Sequence, residues 1–329
     1  MEALHGMRTG QELLDASRPF TTEDTRKSWL YLLSTILLTL LLWAVTVSTL
    51  PMTARVAASI LMGLMLVRLF IIYHDYQHGA ILRRSRAARW IMAAYGLYIL
   101  NPPSIWRRSH NYHHKHNAKL TGASIGSFPM MTMEQYKRAS KSEQRAYAIT
   151  RHPITILLGY LTIFIYGMCI RSFVVDPRRH LDSLFALILQ VILLALHAAA
   201  GLDWLLLGHL IPVNIALTSG AYLFYAQHNF PDIELRDRTE WEYVNAALRS
   251  SSYMTMSRVM HWLTGNIGYH HVHHLNARIP FYRLPEAMDA IPELQSPGTT
   301  SWRPSEIAAC LRLKLWDPEQ SKMVGWNGR

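Results

Sequence analysis

The residues of this chain best suited to chemistry are its histidines. The stretch "GNIGYHHVHHL" (Gly265 to Leu275) carries His270, His273 and His274 as His-x-x-His-His, and "SHNYHHKH" repeats that spacing at His110, His113 and His114. "YHDYQHG" adds His74 and His78, four apart. Positions i, i+3 and i+4 share one helix face, so each cluster sends two or three imidazoles in one direction. With histidine at 17 of 329 positions, accident would place one His-x-x-His-His in about one chain of twenty and two in about one of a thousand. Imidazoles gathered without a metal repel when protonated and leave nitrogens unpaired when buried. Neutral imidazole is a ligand for iron, copper, zinc or nickel, and no carboxylate or thiolate recurs at ligand spacing here. Eight nitrogens exceed the shell of one ion, so two metals with four or five ligands each is the simplest count. His228, in "FYAQHNF", is a ninth candidate, open between a ligand and an interfacial histidine bonded to backbone or water. His197 and His209 stand alone in apolar stretches and are expected to be satisfied core histidines; His116, His261 and His271 lie off the pattern and are not expected to be ligands.

The elements that must position these rings belong to a membrane. Trp29 to Leu50 is a run of 22 residues without a charge and Trp204 to Ala226 one of 23, each long enough to cross a hydrocarbon core of about 30 Å as a helix. Val56 to Tyr73 is a third candidate, broken only by Arg68, and leads straight into His74. Ile154 to Ile170 and Leu184 to Ala200 are 17 residues each, at the short limit. If the clusters are to meet, an even number of crossings must separate the second from the third, so one of the three later runs does not cross. Residues 75–153 hold 13 Lys plus Arg against 3 Asp plus Glu, which predicts a cytoplasmic segment. Arg171, Arg178 and Arg179 favour the same side, so Ile154 to Ile170 is expected to be re-entrant or interfacial, against the alternative of five true spans with the clusters separated. The expected fold is all-α: a single membrane-embedded domain over 1–329 with four transmembrane helices in two hairpins and a helical cytoplasmic cap. Its parts are an N-terminal segment 1–28, a first hairpin 29–73, a cap segment 74–153 with the first two clusters, an interfacial segment 154–183, a second hairpin 184–226 and a second cap segment 227–329. The stretch through Lys27 is polar and mixed in charge, so the first span is expected to serve as the insertion signal. Cys169 and Cys310 give neither a disulfide framework nor a thiolate site, and the net charge of +11 follows from the cytoplasmic segments and suits anionic lipid or an acidic protein partner better than nucleic acid.

A bimetal centre at the lip of apolar helices implies an apolar substrate entering from the bilayer, where two irons could activate dioxygen and remove hydrogen from an unactivated carbon, whereas zinc could act only as a Lewis acid. The stretches "WRRSHNYHH", "YLFYAQHNF", "AALRSSSYM" and "HWLTGNIGYHHVHHLNARIPFYRLPEA" resemble the integral-membrane fatty acid desaturases, closest to the bacterial acyl-lipid desaturases of omega-6 type, over about Phe20 to Pro285. That family has three histidine boxes in the order His-x-x-x-His, His-x-x-His-His, His-x-x-His-His. The resemblance implies a non-haem diiron centre with dioxygen as co-substrate. It carries His74, His78, His110, His113, His114, His270, His273 and His274 over as ligands, and His228 as the additional ligand at the end of the last span. It also implies an external electron donor, a ferredoxin or cytochrome b5 type of protein, since no fused cytochrome b5 signature is present, and a membrane lipid or acyl thioester substrate in a bacterial inner membrane with the catalytic face inside.

Departures and supporting residues follow. The family's first box often reads His-Asp-Cys-Gly-His, whereas Tyr76 and Gln77 replace the two small residues here, so both are expected to narrow the substrate cavity. Asn229 and Pro231 stand where relatives often carry Gln and an acid, which is expected to alter the turn into the cap. Asp75 and Asn266 are candidates to orient imidazoles through their second nitrogens, with ordinary caps or surface hydrogen bonds as the alternative. Trp106 is expected to line an acyl channel, and Arg107 and Arg108 either hold a head-group phosphate or anchor the positive side. "FPMMTM", Phe128 to Met133, reads as packing. The expected activity is oxygen-dependent introduction of a cis double bond. A diiron hydroxylase or ketolase of an alkane, fatty acid or carotenoid is the near alternative, and a non-catalytic metal-binding or metal-transporting membrane protein the distant one.

Overall fold

In the computed structural model residues 8–120 and 126–328 are described. Among these residues four helices are long and apolar enough to cross a membrane: Thr25–Thr46, Met52–His78, Leu181–Ala200 and Leu202–Ala226. The first begins where Asp24 accepts from the N–H groups of Arg26 and Lys27, satisfying donors that a helix start leaves open. Its leucines at 30, 33, 37, 40 and 41 are exposed, while Ser28, Leu32, Thr35 and Thr39 are buried. The face is inverted relative to a soluble helix, as expected where the surroundings are lipid tails and helices gain nothing by hiding leucine from them.

The second span is the central post, packed along both the first and the fourth. The small residues Ser59 and Gly63, four apart, let the fourth span approach: Ser59 Oγ donates to the Leu207 carbonyl at 2.8 Å, and a Cβ at Gly63 would lie 2.7 Å from Ile215. At 27 residues this helix is about 40 Å long, more than the ~30 Å core needs. The surplus turns carry His74 and His78, so the first cluster sits on the same continuous helix as the span. Gly79, at φ 71°, ends the helix in the left-handed conformation. Away from the histidines, Arg55 Nη1 bonds Asp203 Oδ2 at 2.9 Å, which ties the start of the second span to the turn between the third and fourth. Both hairpin turns therefore lie at one end and the histidines at the other.

The run expected to be re-entrant or interfacial is split into Pro153–Leu157 and a π-wound helix Tyr160–Arg171, and its apolar part Tyr160–Val175 is shorter than the four spans. It packs against the third and fourth spans. The fourth span itself contains a π-wound turn at Leu206–Leu210. At the histidine end, helix Pro103–His116 carries the second cluster and the short helix His270–Leu275 the third. Among the described residues, strand content is confined to two pairs: Tyr253–Thr255 parallel to Thr299–Ser301, and Leu315–Asp317 antiparallel to Lys322–Val324. The N-terminal segment straps this end, through Arg8 on Glu293, Ser17 Oγ accepting from Asn276, and Arg283 donating to the carbonyls of Pro19 and Thr22.

Candidate metal centre

Three local devices aim the clusters inward. The start of helix Pro103–His116 is held by Asp182 at the head of the third span, which accepts from Ser104 N at 2.9 Å and Ser104 Oγ at 2.6 Å, with His180 Nδ1 2.8 Å from the same hydroxyl. The third cluster is reached through a turn in which Gly265 has φ 52° and Asn266 φ 57°. A Cβ at Gly265 would lie 2.9 Å from Ile71, so glycine is required for the turn to press against the second span one turn before His74. Asp75 completes the placement: Oδ1 is 3.0 Å from His74 Nδ1, and Oδ2 accepts from Phe281 N at 2.6 Å.

The imidazoles converge into two sets. His74, His78, His110, His114 and His273 form one, and His113, His228, His270 and His274 the other, each with its candidate ligand atoms within 4.8 Å of one another. In the first set the Nε2 atoms of His110 and His74 are 3.0 Å apart, of His114 and His110 3.1 Å, and of His273 and His114 3.0 Å. In the second a closed ring runs from His113 to His228 (3.0 Å), His270 (2.9 Å), His274 (3.1 Å) and back to His113 (3.3 Å). Each box of the His-x-x-His-His type is divided: His110 and His114, at i and i+4, serve the first set while His113 crosses to the second, and His270 and His274 serve the second while His273 crosses to the first.

This donor set fits metal ions. A neutral imidazole Nε2 carries at most one proton and cannot donate to two neighbours, so hydrogen bonds account for at most two of the four contacts in the ring, whereas an ion at its centre would take up all four lone pairs. Separations of 2.9 to 3.3 Å suit adjacent nitrogens around one ion with metal–nitrogen bonds of ~2.1 Å. Burial first, then the neighbouring imidazoles, holds His110, His113, His114, His270, His273 and His274 well below the ordinary histidine value. Burial pushes His228 down to about 4, although the Ser250 carbonyl opposes it. The rings are therefore neutral near pH 7, the form in which they are ligands.

The family model for fatty acid desaturases matches residues 51–305. The chain belongs to that family. A fatty acid desaturase of Bacillus subtilis (strain 168) is 30% identical over 317 residues, covering 94% of this chain and 88% of the relative. An sn-1 oleoyl-lipid 12-desaturase of Anabaena variabilis is 24% identical over 286 residues, 82% of this chain and 78% of that protein. An oleoyl-12-hydroxylase of Ricinus communis is 26% identical over 255 residues, 70% of this chain and 63% of the relative. The desaturase is thus a membrane oxidoreductase of acyl lipids, with histidine clusters able to bind metal.

The outer partners of the desaturase's rings differ from expectation in part. Asp75 meets His74 as expected, but the Asn266 amide reaches no imidazole; it donates to the Phe281 carbonyl at 3.1 Å, so Asp75 and Asn266 grip the two ends of one residue. Two partners were not readable in the sequence: Ser127 Oγ, 2.6 Å from His113 Nδ1, and the Ser250 carbonyl, which accepts from His228 Nδ1–H at 3.0 Å. A carbonyl carries no sequence signal, and Ser127 is a single hydroxyl just before the stretch read as packing. His116, His261 and His271 stay outside both sets: His116 donates to the Tyr112 carbonyl, His271 to the Leu294 carbonyl, and His261 stacks on Tyr253. His209 meets Gln190, while His197 donates to Leu193 and leaves its Nε2 buried without a partner, so the expected satisfied core histidine holds for only one of its nitrogens.

Beside the sets lies an apolar cavity of about 660 Å³ whose walls include Phe70, Trp106, Phe164, Leu217, Phe224 and the rings of His74, His110 and His270. That volume is in the range of small-molecule sites. Trp106 lines it as expected, its indole stacked on His110 at 4.3 Å. Tyr76 and Gln77 do not line it. Gln77 turns the other way and accepts from Arg107 at 2.8 Å, so the bulk in the first box is absorbed by an arginine contact and not by the substrate space. Arg108 is exposed. Phe128, read as packing, lines the cavity as well as the core. Asn229 stays in the interior, its amide donating to the Cys310 carbonyl at 2.7 Å, and so anchors the C-terminal helix to the turn that carries His228.

Proposed function

We propose that this desaturase introduces a cis double bond into the acyl chain of a membrane lipid, using two irons and dioxygen, with electrons from a separate ferredoxin or cytochrome b5 type of carrier. The observation that carries the reading is the contact between both imidazole sets and one apolar cavity: His74 and His110 of the first set and His270 of the second form part of its wall. The two sets would hold one iron each, and when bound the pair supplies reductive activation of dioxygen. The overall conversion takes two hydrogens from neighbouring methylenes, two electrons and two protons, and returns two waters.

The chain's own part is geometric. Phe70, Trp106, Phe164 and Phe224 hold the methylenes against the ring wall and exclude bulk water. Asp75 accepts the Nδ1 proton of His74 and Ser250 that of His228, which turns each Nε2 inward with its lone pair free. The lysine and arginine excess of residues 75–153 supports a cytoplasmic location for the histidine end, and with it a bacterial inner-membrane enzyme. The parts delimited at 28, 73, 153, 183 and 226 are proposed as a description of sidedness, with Tyr160–Val175 lying at the interface. The test is gas chromatography with mass spectrometry of fatty acids from a bacterial host expressing the protein beside His273→Ala and His113→Ala controls. A new acid two hydrogens lighter, absent from the controls, is expected, and derivatisation locates the bond. Appreciable product from either variant would overturn the ligand assignment. The oleoyl-12-hydroxylase relative favours one second reading, hydroxylation on the same scaffold, which a product heavier by one oxygen would establish.

A further inference from the structure

A second cavity, of about 560 Å³, lies against His228 of the second imidazole set. It is bounded by Lys119, Phe128, Arg138, Arg151, Phe224 and His228. Phe128 and Phe224, rings 6.2 Å apart, belong to the walls of both cavities and divide them. A molecule occupying both would therefore pass between these rings, beside the metal ligands.

Arg151 distinguishes this cavity. It is 0% exposed, yet every partner it has is neutral: Nη1 donates to the Pro129 carbonyl at 2.9 Å, and Nη2 to Asn229 Oδ1, to Tyr225 Oη at 3.3 Å and to the Leu313 carbonyl at 3.3 Å. Its Nε is buried with no partner. Next to it Lys314, 5% exposed, donates from Nζ to the Arg151 carbonyl at 2.6 Å. Among the described residues no carboxylate forms an ion pair with either cation. Among the described residues of the cavity wall the one carboxylate is Glu143, which accepts from Ser140 N at 2.8 Å. A buried charge without a counter-charge is costly, and a guanidinium with a free N–H is a fork suited to phosphate oxygens. Lys119, whose Nζ lies over the Trp241 ring, adds attraction for an anion, while Arg138 in the same wall is paired with Glu134.

We infer that this cavity seats the phosphate at the head of the acyl substrate, with Arg151 as its buried contact, while the chain passes the Phe128–Phe224 divide into the apolar cavity. The inference rests on the desaturase reading and adds a head-group site to it. The phosphate could belong to a phospholipid or to a phosphopantetheine thioester, and the test separates them. Purified full-length, iron-loaded protein in detergent is titrated with dioctanoyl phosphatidylglycerol, coenzyme A, inorganic phosphate and the phosphate-free dioctanoylglycerol. One phosphate-bearing probe is expected to bind at least tenfold more tightly than dioctanoylglycerol, and Arg151→Gln to remove that advantage while leaving the binding of dioctanoylglycerol unchanged. Preference for the phosphatidylglycerol identifies a lipid head group, and preference for coenzyme A a thioester. Equal binding of phosphate-bearing and phosphate-free probes by the wild type, or an advantage retained in Arg151→Gln, overturns the site, as does an advantage shown by inorganic phosphate alone. If Arg151→Gln does not fold, Met130→Trp, which fills the same cavity, and Lys119→Gln replace it; retention of the advantage in Met130→Trp overturns the site. Loss of the site with double bonds still formed sinks this inference alone. An intact phosphate advantage with no unsaturated product sinks the desaturase reading instead.

Discussion

The two imidazole sets are built differently although they share two helices. The first gathers five rings, four of them in i and i+4 pairs on long helices, and one ring is backed by a buried carboxylate, Asp75. The second gathers four, on the six-residue helix His270–Leu275, on His113 and on His228, and its outer partners are a serine hydroxyl and a peptide carbonyl. Both sets draw on three stretches of chain, but two rings of the first, His74 and His78, stand on the central post of the bundle. The second has no ring there and leans on neutral hydrogen bonds.

That contrast is open to experiment. The largest effect is expected from removing a ring: His273→Ala in the first set and His228→Ala in the second should each lower product at least about 1000-fold, as loss of a group from an interdependent centre does. Iron analysis of purified protein should show each variant losing about one of two irons; loss of both from His273→Ala would show that the two sets fill only together. Next, Asp75→Asn keeps shape but leaves one oxygen where His74 Nδ1 and Phe281 N use two, and should cost roughly 10- to 100-fold in iron affinity or rate. Replacing Ser127 by Ala removes only a neutral partner of His113, and a loss as large as that of Asp75→Asn would erase the distinction between the sets.

Gly265→Ala tests the packing on which the second set relies. Its Cβ would meet Ile71 at 2.9 Å in a backbone at φ 52°, so a loss of about 1–3 kcal/mol in stability is expected, read by thermal melts in detergent. The smallest effect belongs to the N-terminal strap. Arg8 holds Glu293 down to about 2 through hydrogen bonds and charge. A carboxylate lowered below its unfolded value of about 4.3 contributes stability above that pH, and the contribution fades as the pH falls towards 2. Glu293→Gln should therefore cost no more than about 1 kcal/mol at pH 7, and the gap between variant and wild type should narrow below about pH 4 and close only as the pH falls to about 2.

The spans were legible because a hydrocarbon interior tolerates few charges, so uncharged runs such as Trp29 to Leu50 announce themselves. The π winding at Tyr160–Arg171 and the continuation of the second span through His78 were not, since both depend on how neighbouring helices take up the backbone. Among site residues Asp75 was readable from its place beside His74. Asn266 misled, because its neighbour in sequence is a ligand while its neighbour in space is the Phe281 carbonyl. Arg151 looked like one more positive residue of a basic segment, and only its burial sets it apart.

What the amino-acid order decides by itself is local: helical periodicity places His74 with His78, His110 with His114 and His270 with His274 on common faces, whatever surrounds them. The composition of the runs likewise commits the chain to a membrane. Which metal position each ring serves is decided only when the helices are docked, because His113 and His273 are sent to opposite sets by the stagger between two helices about 160 residues apart, a quantity no local rule contains. The same docking brings in His228 and its Ser250 carbonyl, and divides the substrate space at Phe128 and Phe224.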